Sequence, residues 1–374
     1  MTQQQFVPEP TAAPTVAATP FPAPASRGRT LVVGAGAVGS FLGVLLASVG
    51  HDVTLVRIFE PDSERPVELI RPDGSRTTIP VHRITRTADA APPDLILVAV
   101  KMPMLREALE PTLAWPEVPT LTVENGIGAD SVAAAIRPRA PQIAGSLTAP
   151  IAPASEDEVR WLGRGGIGLA PATVDATALV PNLVADFRAA GFRAKPLANA
   201  AAMKWSKLLA NLIANASGAI LDMDGGEIYG HPGLFEMERE QLLEALRVMS
   251  GLGLGPVAIP GAPVPWLVRG VRLPPAVGRP ILRRALGDAR AGKMPSLRIQ
   301  VRAARPDAPS PEETEVAWMN GAVAEQGKLL GIPTPVNATL ARLTDEVARN
   351  PARRAAFRGH PDLLLAEVAA ARGR

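Results

Sequence analysis

Short apolar runs and long helical patterns occupy different parts of the chain. The runs lie at 30–33, 52–57, 94–100, 119–123, 142–150, 159–162 and 166–169, and they alternate with helical stretches near 103–112, 129–137 and 175–190. The run at 94–100, DLILVAV, is continuously apolar, as in a strand that is buried on both faces. After residue 196 the pattern changes to long helices at 199–218, 232–251, 312–330 and 335–349. This order predicts an α/β domain with a doubly wound parallel sheet over 29–196, followed by an all-helical domain over 197–374.

Two segments lack this periodicity. Residues 1–28 are rich in proline and alanine, and we predict a disordered tail there because few side chains are available for a core. Residues 255–280 are rich in proline and glycine. We interpret them as an insertion between helices whose structure the sequence does not predict.

The apolar stretch at 31–50 is compatible with two kinds of structure. It carries no charged side chain, and its length matches a membrane-spanning helix. However, it contains five glycines, and glycine costs about 1 kcal/mol relative to alanine in a helix. HDVTLVR follows directly and has the β-branched residues of a strand. We therefore interpret the stretch as a strand, a turn and a helix of the α/β domain.

Gly34, Gly36 and Gly39 follow the first predicted strand with the spacing GxGxxG. In a Rossmann-type unit the first glycine permits a tight turn, the second lets the backbone approach a pyrophosphate, and the third lets the helix pack on the strand. Ala37 and Val38 open the helix, whose first N–H groups are free to bind phosphate. These five residues predict a dinucleotide site in a Rossmann-type domain.

The end of the second strand indicates which dinucleotide binds. An acidic residue there binds the ribose 2′-hydroxyl of NAD, whereas an arginine accommodates the 2′-phosphate of NADP. The sequence has Arg57 at this position, and Glu60 is a weaker candidate for NAD. We therefore predict NADPH as the cofactor.

A polar stripe interrupts the apolar helix predicted at 199–218. Lys207, Asn211 and Asn215 recur at i, i+4 and i+8, so they would lie on one helix face. Asparagine is unfavourable inside helices, and its repetition beside a lysine indicates a cleft; the competing interpretation is a solvated face. Only six of the 39 basic residues are lysines, and lysine, unlike arginine, can transfer a proton when its pKa is shifted. We predict that Lys207 donates a proton, with Lys204 as the second candidate, and that the asparagines bind substrate.

Three more residues are predicted to lie near this stripe. Lys101 directly follows the strand at 94–100, and Asn125 lies two residues after the strand at 119–123, at the carboxyl ends where open α/β sheets bind ligands. Glu315 lies in the first turn of the helix predicted at 312–330, where a carboxylate also interacts favourably with the helix dipole.

These residues resemble the ketopantoate reductase family, the 2-dehydropantoate 2-reductases. The resemblance rests on LVVGAGAVGSFLG, VTLVR, LVAVK, ENGIG, KWSKLLANLIANASGAI and TEVAWMNGAV, in this order across roughly 30–345. It implies a Rossmann domain and a helical domain with NADPH in the cleft. It also implies reduction of a 2-oxo acid to a 2-hydroxy acid, with ketopantoate giving pantoate in pantothenate and CoA biosynthesis.

The resemblance implies a role for each matching residue. Lys207 is similar to the general acid of the family, and Glu315 is similar to the residue that hydrogen-bonds the substrate hydroxyl. Lys101 and Asn125 resemble cleft residues that organise cofactor and substrate. The resemblance also implies that the substrate is bound by Asn211, Asn215 and Ser296, the last of which lies in KMPSLRI.

Departures from the family pattern lie on the substrate side. Met104 replaces the usual glutamine, and Ala317 replaces an aspartate two residues after Glu315. The segment before Glu315 is longer than usual, which leaves Glu313 as an alternative register. Two alternatives therefore stay open: the same fold acting on another 2-oxo or 3-hydroxy acid, and an NADP(H)-binding sensor without turnover.

Composition limits the other classes of function. The net charge is only +3 and no block of like charges occurs, so we expect no nucleic-acid partner and no membrane partner. The chain has no cysteine, and its four histidines are not spaced as metal ligands, so we expect no metal site. No address signal is evident, so the cytoplasm is the default location. A helical second domain would offer a surface for a homodimer.

Overall fold

The computed structural model describes residues 27–57, 63–155, 157–290, 295–304 and 314–373. Most of the predicted tail therefore lies outside the described residues. Arg27 and Gly28, which we assigned to the tail, pair with the chain around the start of the second strand. The Arg27 N–H donates to the Gly50 carbonyl at 3.0 Å, and the Gly28 carbonyl accepts from the N–H of Asp52 at 3.0 Å. These two residues pack with the α/β domain.

Two sheets are formed by the described strands. The strands are β1 (Arg29–Val33), β2 (Asp52–Val56), β3 (Val67–Ile70), β4 (Arg76–Ile79), β5 (His82–Ile84), β6 (Leu95–Val98), β7 (Thr120–Thr122), β8 (Gln142–Leu147), β9 (Ile151–Ser155), β10 (Glu158–Trp161), β11 (Ile167–Pro171) and β12 (Ala194–Pro196). The larger sheet has the order β12-β11-β8-β7-β6-β1-β2-β5. Its pairings are parallel except for β11 with β8, which is antiparallel. The predicted doubly wound sheet is confirmed, and the antiparallel pairing extends it.

The described helices divide between the two parts of the chain. Those of the first part are α1 (Ala37–Ala47), α2 (Leu105–Leu109), α3 (Ala129–Ile136) and α4 (Val180–Ala189). Those of the second part are α5 (Ala200–Leu212), α6 (Ala216–Leu221), α7 (Gly225–Gly230), α8 (Pro232–Gly251), α9 (Val264–Arg272), α10 (Pro275–Arg290), α11 (Ser296–Ala303), α12 (Asn320–Leu330), α13 (Pro335–Arg349), α14 (Pro351–Phe357) and α15 (Pro361–Arg372). The predicted helical character of the second part is confirmed.

Helix α1 is apolar on all sides because it lies between the two sheets. The smaller sheet, with the order β4-β3-β10-β9, packs on the face of α1 that the larger sheet leaves uncovered. Phe41 of α1 meets Trp161 of β10 and Phe192, with ring centroids 6.0 and 5.1 Å apart. A helix that is apolar all round is typical of a buried position. Among the described helices, none is long and apolar enough to cross a membrane.

The proline-rich segment at 255–280 contains helix structure that the sequence did not predict. Helix α9 lies within it, and α10 begins there. Prolines at the first turn of α9 are tolerated because the first N–H groups of a helix have no intrahelical partner. Val264, Val268 and Val271 recur at helical spacing and are buried. The segment is therefore an amphipathic part of the helical core.

The continuous helix predicted at 199–218 is wrong, because the chain breaks after Leu212. Ala214 has a φ of 47°, a left-handed conformation that costs roughly 1–2 kcal/mol outside glycine. Glu238 of α8 is fully buried and accepts the N–H of Ala214 at 2.8 Å and the hydroxyl of Ser217 at 2.6 Å. Gln241 of the same helix donates to the Leu212 carbonyl at 3.3 Å. The break is thus held by side chains from another helix.

Replacing Glu238 by alanine would leave the buried Ala214 N–H and Ser217 hydroxyl without this acceptor. Each unsatisfied buried group costs about 1–3 kcal/mol, so the free energy of unfolding should fall by about 2 kcal/mol or more in urea denaturation. Glu240→Ala, on the same helix but partly exposed, is the control and should change it by less than about 1 kcal/mol. Equal losses in the two variants would contradict this account of the break.

Candidate active site

The turn between β1 and α1 has the close approaches that the glycine spacing predicts. Gly34 has a φ of 94°, and a Cβ there would lie 2.6 Å from Cγ1 of Val100. A Cβ on Gly39 would lie 2.2 Å from the carbonyl oxygen of Gly34. A Cβ on Gly36, by contrast, would meet nothing within 4 Å. Space is therefore open in front of Gly36 and the N-terminus of α1, where Ala37 and Val38 form the first turn.

A cavity of about 500 Å³ extends from this turn, within the usual volume range of ligand sites. Gly34, Gly36 and Arg57 all line it, as predicted for one binding region. Arg86 also lines the cavity and was not singled out in the sequence, because the short strand β5 before it has a weak pattern. Glu107 contributes one opposing charge. Glu60, the weaker NAD candidate, lies outside the described residues.

Helix α5 presents Lys207 and Asn211 on its half-exposed side, whereas most of its other side chains are buried. The Nδ2 of Asn211 donates to Oδ1 of Asn125 at 3.4 Å. Asn125 lies just beyond the carboxyl end of β7, so the contact joins the sheet domain to the helical domain. The structure thus brings Asn125, Lys207 and Asn211 to one region.

Asn215 does not continue the face of Lys207 and Asn211, because the chain breaks before it. It is buried at the start of α6 and faces the start of α11. Its Nδ2 donates to Oγ of Ser296 at 3.4 Å, and its Oδ1 accepts the N–H of Leu297 at 3.0 Å. Asn215 and Ser296 are therefore in contact, as expected for one site. Asn215 lies at the start of α6, however, and not on the α5 face that carries Lys207 and Asn211.

Glu315 is buried at the start of a short 3₁₀ helix (Glu315–Trp318). Burial raises the pKa of its carboxyl, while a hydrogen bond from Gln300 and the charge of Lys101 act in the opposite direction. The Gln300 Nε2 donates to Oε2 of Glu315 at 2.7 Å, and the Glu315 N–H donates back to Oε1 of Gln300 at 2.9 Å. Glu315 is thus fixed in orientation and lies within electrostatic reach of Lys101. Glu313, the alternative register, lies outside the described residues.

Sequence reasoning missed Gln300. It lies four residues after Ser296 on α11, so both project from the same side of that helix. Leu297 and Val301 are buried at the same spacing, and this was the available signal for a helix. The sequence pattern described above leaves residues 281–311 without an assigned element.

Lys204, the second candidate proton donor, points into the protein. It is buried, and its Nζ donates to the backbone carbonyl of Glu124 at 3.1 Å. Burial lowers the pKa of Lys204, and burial raises the pKa of Glu124 to about 7. Sequence reasoning missed Glu124, which directly precedes Asn125. The structure therefore separates the two lysines by environment, with Lys204 inside the protein and Lys207 on the half-exposed face.

Two protein-family models match the chain. Residues 30–173 match "Ketopantoate reductase PanE/ApbA", and residues 199–348 match "Ketopantoate reductase PanE/ApbA C terminal". The chain belongs to the ketopantoate reductase family. The family resemblance inferred from the sequence motifs is thereby confirmed.

Individual relatives cover most of the chain at low identity. The chain is 27% identical over 324 residues to the 2-dehydropantoate 2-reductase of Pyrococcus horikoshii, covering 83% of this chain and 95% of that protein. It is 27% identical over 326 residues to the enzyme of the same name from Halobacterium salinarum, covering 84% and 97%.

Solved structures share the fold. A PanE/ApbA family ketopantoate reductase from Ralstonia eutropha superposes with a TM-score of 0.68 at 22% identity, covering 86% of this chain and 98% of that chain. D-mandelate dehydrogenase in complex with NADH and anilino(oxo)acetate superposes with a TM-score of 0.69 at 19% identity, covering 88% and 99%. These likenesses establish the fold.

The raised pKa of Glu315 predicts a pH-dependent cost in stability. In the unfolded chain the carboxyl ionises at its ordinary, lower pKa, so the free energy of unfolding falls as the pH rises from that value towards the folded pKa. Glu315→Gln retains an acceptor for Gln300 and cannot ionise. The stability of this variant relative to the native protein should therefore rise as the pH increases above 4.5, the ordinary pKa of the group, measured by urea denaturation.

The control is Glu325→Gln, which alters an exposed residue of α12. Its stability difference from the native protein should change little over the same pH range. A pH-independent difference for Glu315→Gln would show that Glu315 titrates alike in the folded and unfolded states, against the prediction.

Proposed function

We propose that the protein reduces a 2-oxo acid to a 2-hydroxy acid with NADPH, with 2-dehydropantoate as the leading substrate and pantoate as the product. The observation that carries this proposal is the grouping of predicted residues near the sheet end, where Val100, which precedes Lys101, lines the same cavity as Gly34 and Gly36. Lys207 and Asn211 lie with Asn125, and Glu315 lies within electrostatic reach of Lys101. Family membership supports the reaction class, and the relatives named 2-dehydropantoate 2-reductase support the substrate.

The residues at the turn fit a dinucleotide. The open space before Gly36 and the free N–H groups at the start of α1 suit a pyrophosphate, and Arg57 suits a 2′-phosphate. NADPH bound there supplies the hydride for the carbonyl carbon of the substrate. The preference for NADPH over NADH rests on Arg57, since the structurally similar D-mandelate dehydrogenase was solved with NADH.

Each polar residue of the site has a distinct chemical task in this proposal. Lys207 donates a proton to the substrate carbonyl oxygen as negative charge develops on it. Glu315, held by Gln300, accepts a hydrogen bond from the resulting hydroxyl and so fixes its direction. Asn125 and Asn211 bind the substrate carboxylate through amide donors. Asn215 and Ser296 bind the remainder of the substrate.

A less polar 2-oxo acid is the second candidate substrate. Ala317 is exposed two residues after Glu315. It stands where the family commonly has an aspartate, so this side of Glu315 carries no charge from residue 317. NADPH consumption should be measured with 2-dehydropantoate and with 2-oxo acids bearing larger apolar groups. The highest kcat/KM for 2-dehydropantoate supports the leading substrate; NADPH binding without turnover of any 2-oxo acid would instead support a sensor.

Lys207→Ala should reduce kcat by at least about 100-fold, because a positioned general acid contributes about 10²–10⁴-fold. The measurement is steady-state NADPH oxidation with the best 2-oxo acid. Lys328→Ala removes an exposed lysine of α12 and should leave kcat unchanged. A native kcat in Lys207→Ala would mean that another group donates the proton.

Arg57→Ala should raise the KM for NADPH by roughly tenfold or more, because a charge-assisted contact to the 2′-phosphate is lost. NADH lacks this phosphate and serves as the internal control, so its KM should stay within about twofold of the native value. Equal increases in the KM values for NADPH and NADH would mean that Arg57 maintains the shape of the cavity and does not recognise the 2′-phosphate.

A further inference from the structure

Glu124 and Lys204 join the two domains beside the proposed site. Lys204 is 4% exposed, and its Nζ donates to the Glu124 carbonyl at 3.1 Å. Glu124 is 6% exposed, and its Oε1 accepts the N–H of Val100 at 3.3 Å. The Oε2 of Glu124 has no hydrogen-bond partner among the described residues. One pair of buried charged side chains therefore connects the ends of β6 and β7 with α5.

The points held by this pair adjoin residues of the site. Val100 and Glu124 directly precede Lys101 and Asn125, respectively. Lys204 lies on α5 one turn before the predicted proton donor of the same helix. A shift of either strand end relative to α5 would therefore move a site residue on one domain away from the site residues on the other.

The stability of the fold does not account for this pair. Burial penalises the charged form of both side chains, and each charge only partly offsets the cost to the other; Asp130 of α3 adds a negative charge near Lys204. Apolar side chains of similar size in place of a buried charged pair are often neutral or stabilising. What charged side chains add is directional contact with the backbone, which apolar packing does not supply.

We propose that Glu124 and Lys204 are positioning residues for the reduction, with Lys204 fixing the Glu124–Asn125 peptide against α5 and Glu124 fixing the strand end that carries Lys101. They act through Asn125 and Lys101 and do not touch the substrate. The proposal rests on the proposed function, because it assigns the pair to that reaction.

The test compares Lys204→Met, Glu124→Gln and the double variant in kcat, KM and free energy of unfolding. Each single variant should lower kcat/KM for the 2-oxo acid by about tenfold, because small displacements of reacting groups cost large factors in rate. The double variant contains no unpaired buried charge, so it should lose less stability than the sum of the losses in the two single variants. The kcat/KM of the double variant should nevertheless be no higher than that of the less active single variant.

The control is Met203→Leu, a buried substitution beside Lys204 that leaves both contacts in place. Its kcat/KM should stay within about twofold of the native value. Recovery of native kcat/KM in the double variant, together with native stability, would reduce the pair to a structural role and overturn the proposal. Unchanged kcat/KM in the single variants would overturn it as well.

Hydrogen–deuterium exchange separates this proposal from the proposed function, because it needs no turnover. The amides of residues 121–128 should exchange faster in the double variant than in the native protein and in Met203→Leu. If the native protein reduces no 2-oxo acid, the proposed function fails, while faster exchange still supports positioning of the Asn125 turn. Unchanged exchange in this segment would overturn the positioning role whatever the activity.

Discussion

The buried carboxylate of Glu238 determines where helix α5 ends, and the arrangement of the site depends on that ending. The carboxylate accepts the N–H of Ala214, which stabilises a left-handed backbone that alanine does not favour by itself. If the helix continued, Asn215 would stay on the face of Lys207. Because it stops, α6 changes direction, and Asn215 instead contacts Ser296 at the start of α11. One acceptor on α8 therefore determines that Asn215 contacts α11, while Asn211 contacts Asn125 beyond the end of β7.

The same face of α8 fixes the turn around Glu315. Gln241 accepts from the Nδ2 of Asn320 at 3.0 Å, and Asn320 opens the helix that follows the 3₁₀ turn. Glu244 accepts the backbone N–H of Asn337 at 2.9 Å, at the start of α13. Buried hydrogen bonds of this kind are directional, so they specify one packing of the helices where apolar contacts alone permit several. The position of Glu315 thus depends on α8 from one side and on Gln300 from the other.

The sequence predicted the features that depend on contacts between residues close together in the chain. Gly34 and Gly39 are required by contacts within one strand–turn–helix unit, and their spacing is visible in the sequence. Lys101 was placed by the rule that parallel strands present ligands at their carboxyl ends. The break at Ala214 was not predictable in this way, because its acceptor lies 24 residues away on another helix. The smaller sheet was missed because its strands are short and because the pairing that unites it, β10 with β3, joins distant parts of the chain.

The buried glutamate side chains differ in how completely their carboxyl oxygens are hydrogen-bonded. Burial raises the pKa of Glu238 and Glu244, yet each accepts several hydrogen bonds from backbone and side-chain donors. Glu124, by contrast, keeps one carboxylate oxygen without a partner among the described residues. An under-satisfied buried carboxylate is a cost that folding alone does not explain. The two acids that hold the helical architecture are well satisfied, whereas Glu124, which adjoins Asn125, is not, which is the distribution expected if Glu124 is retained for function.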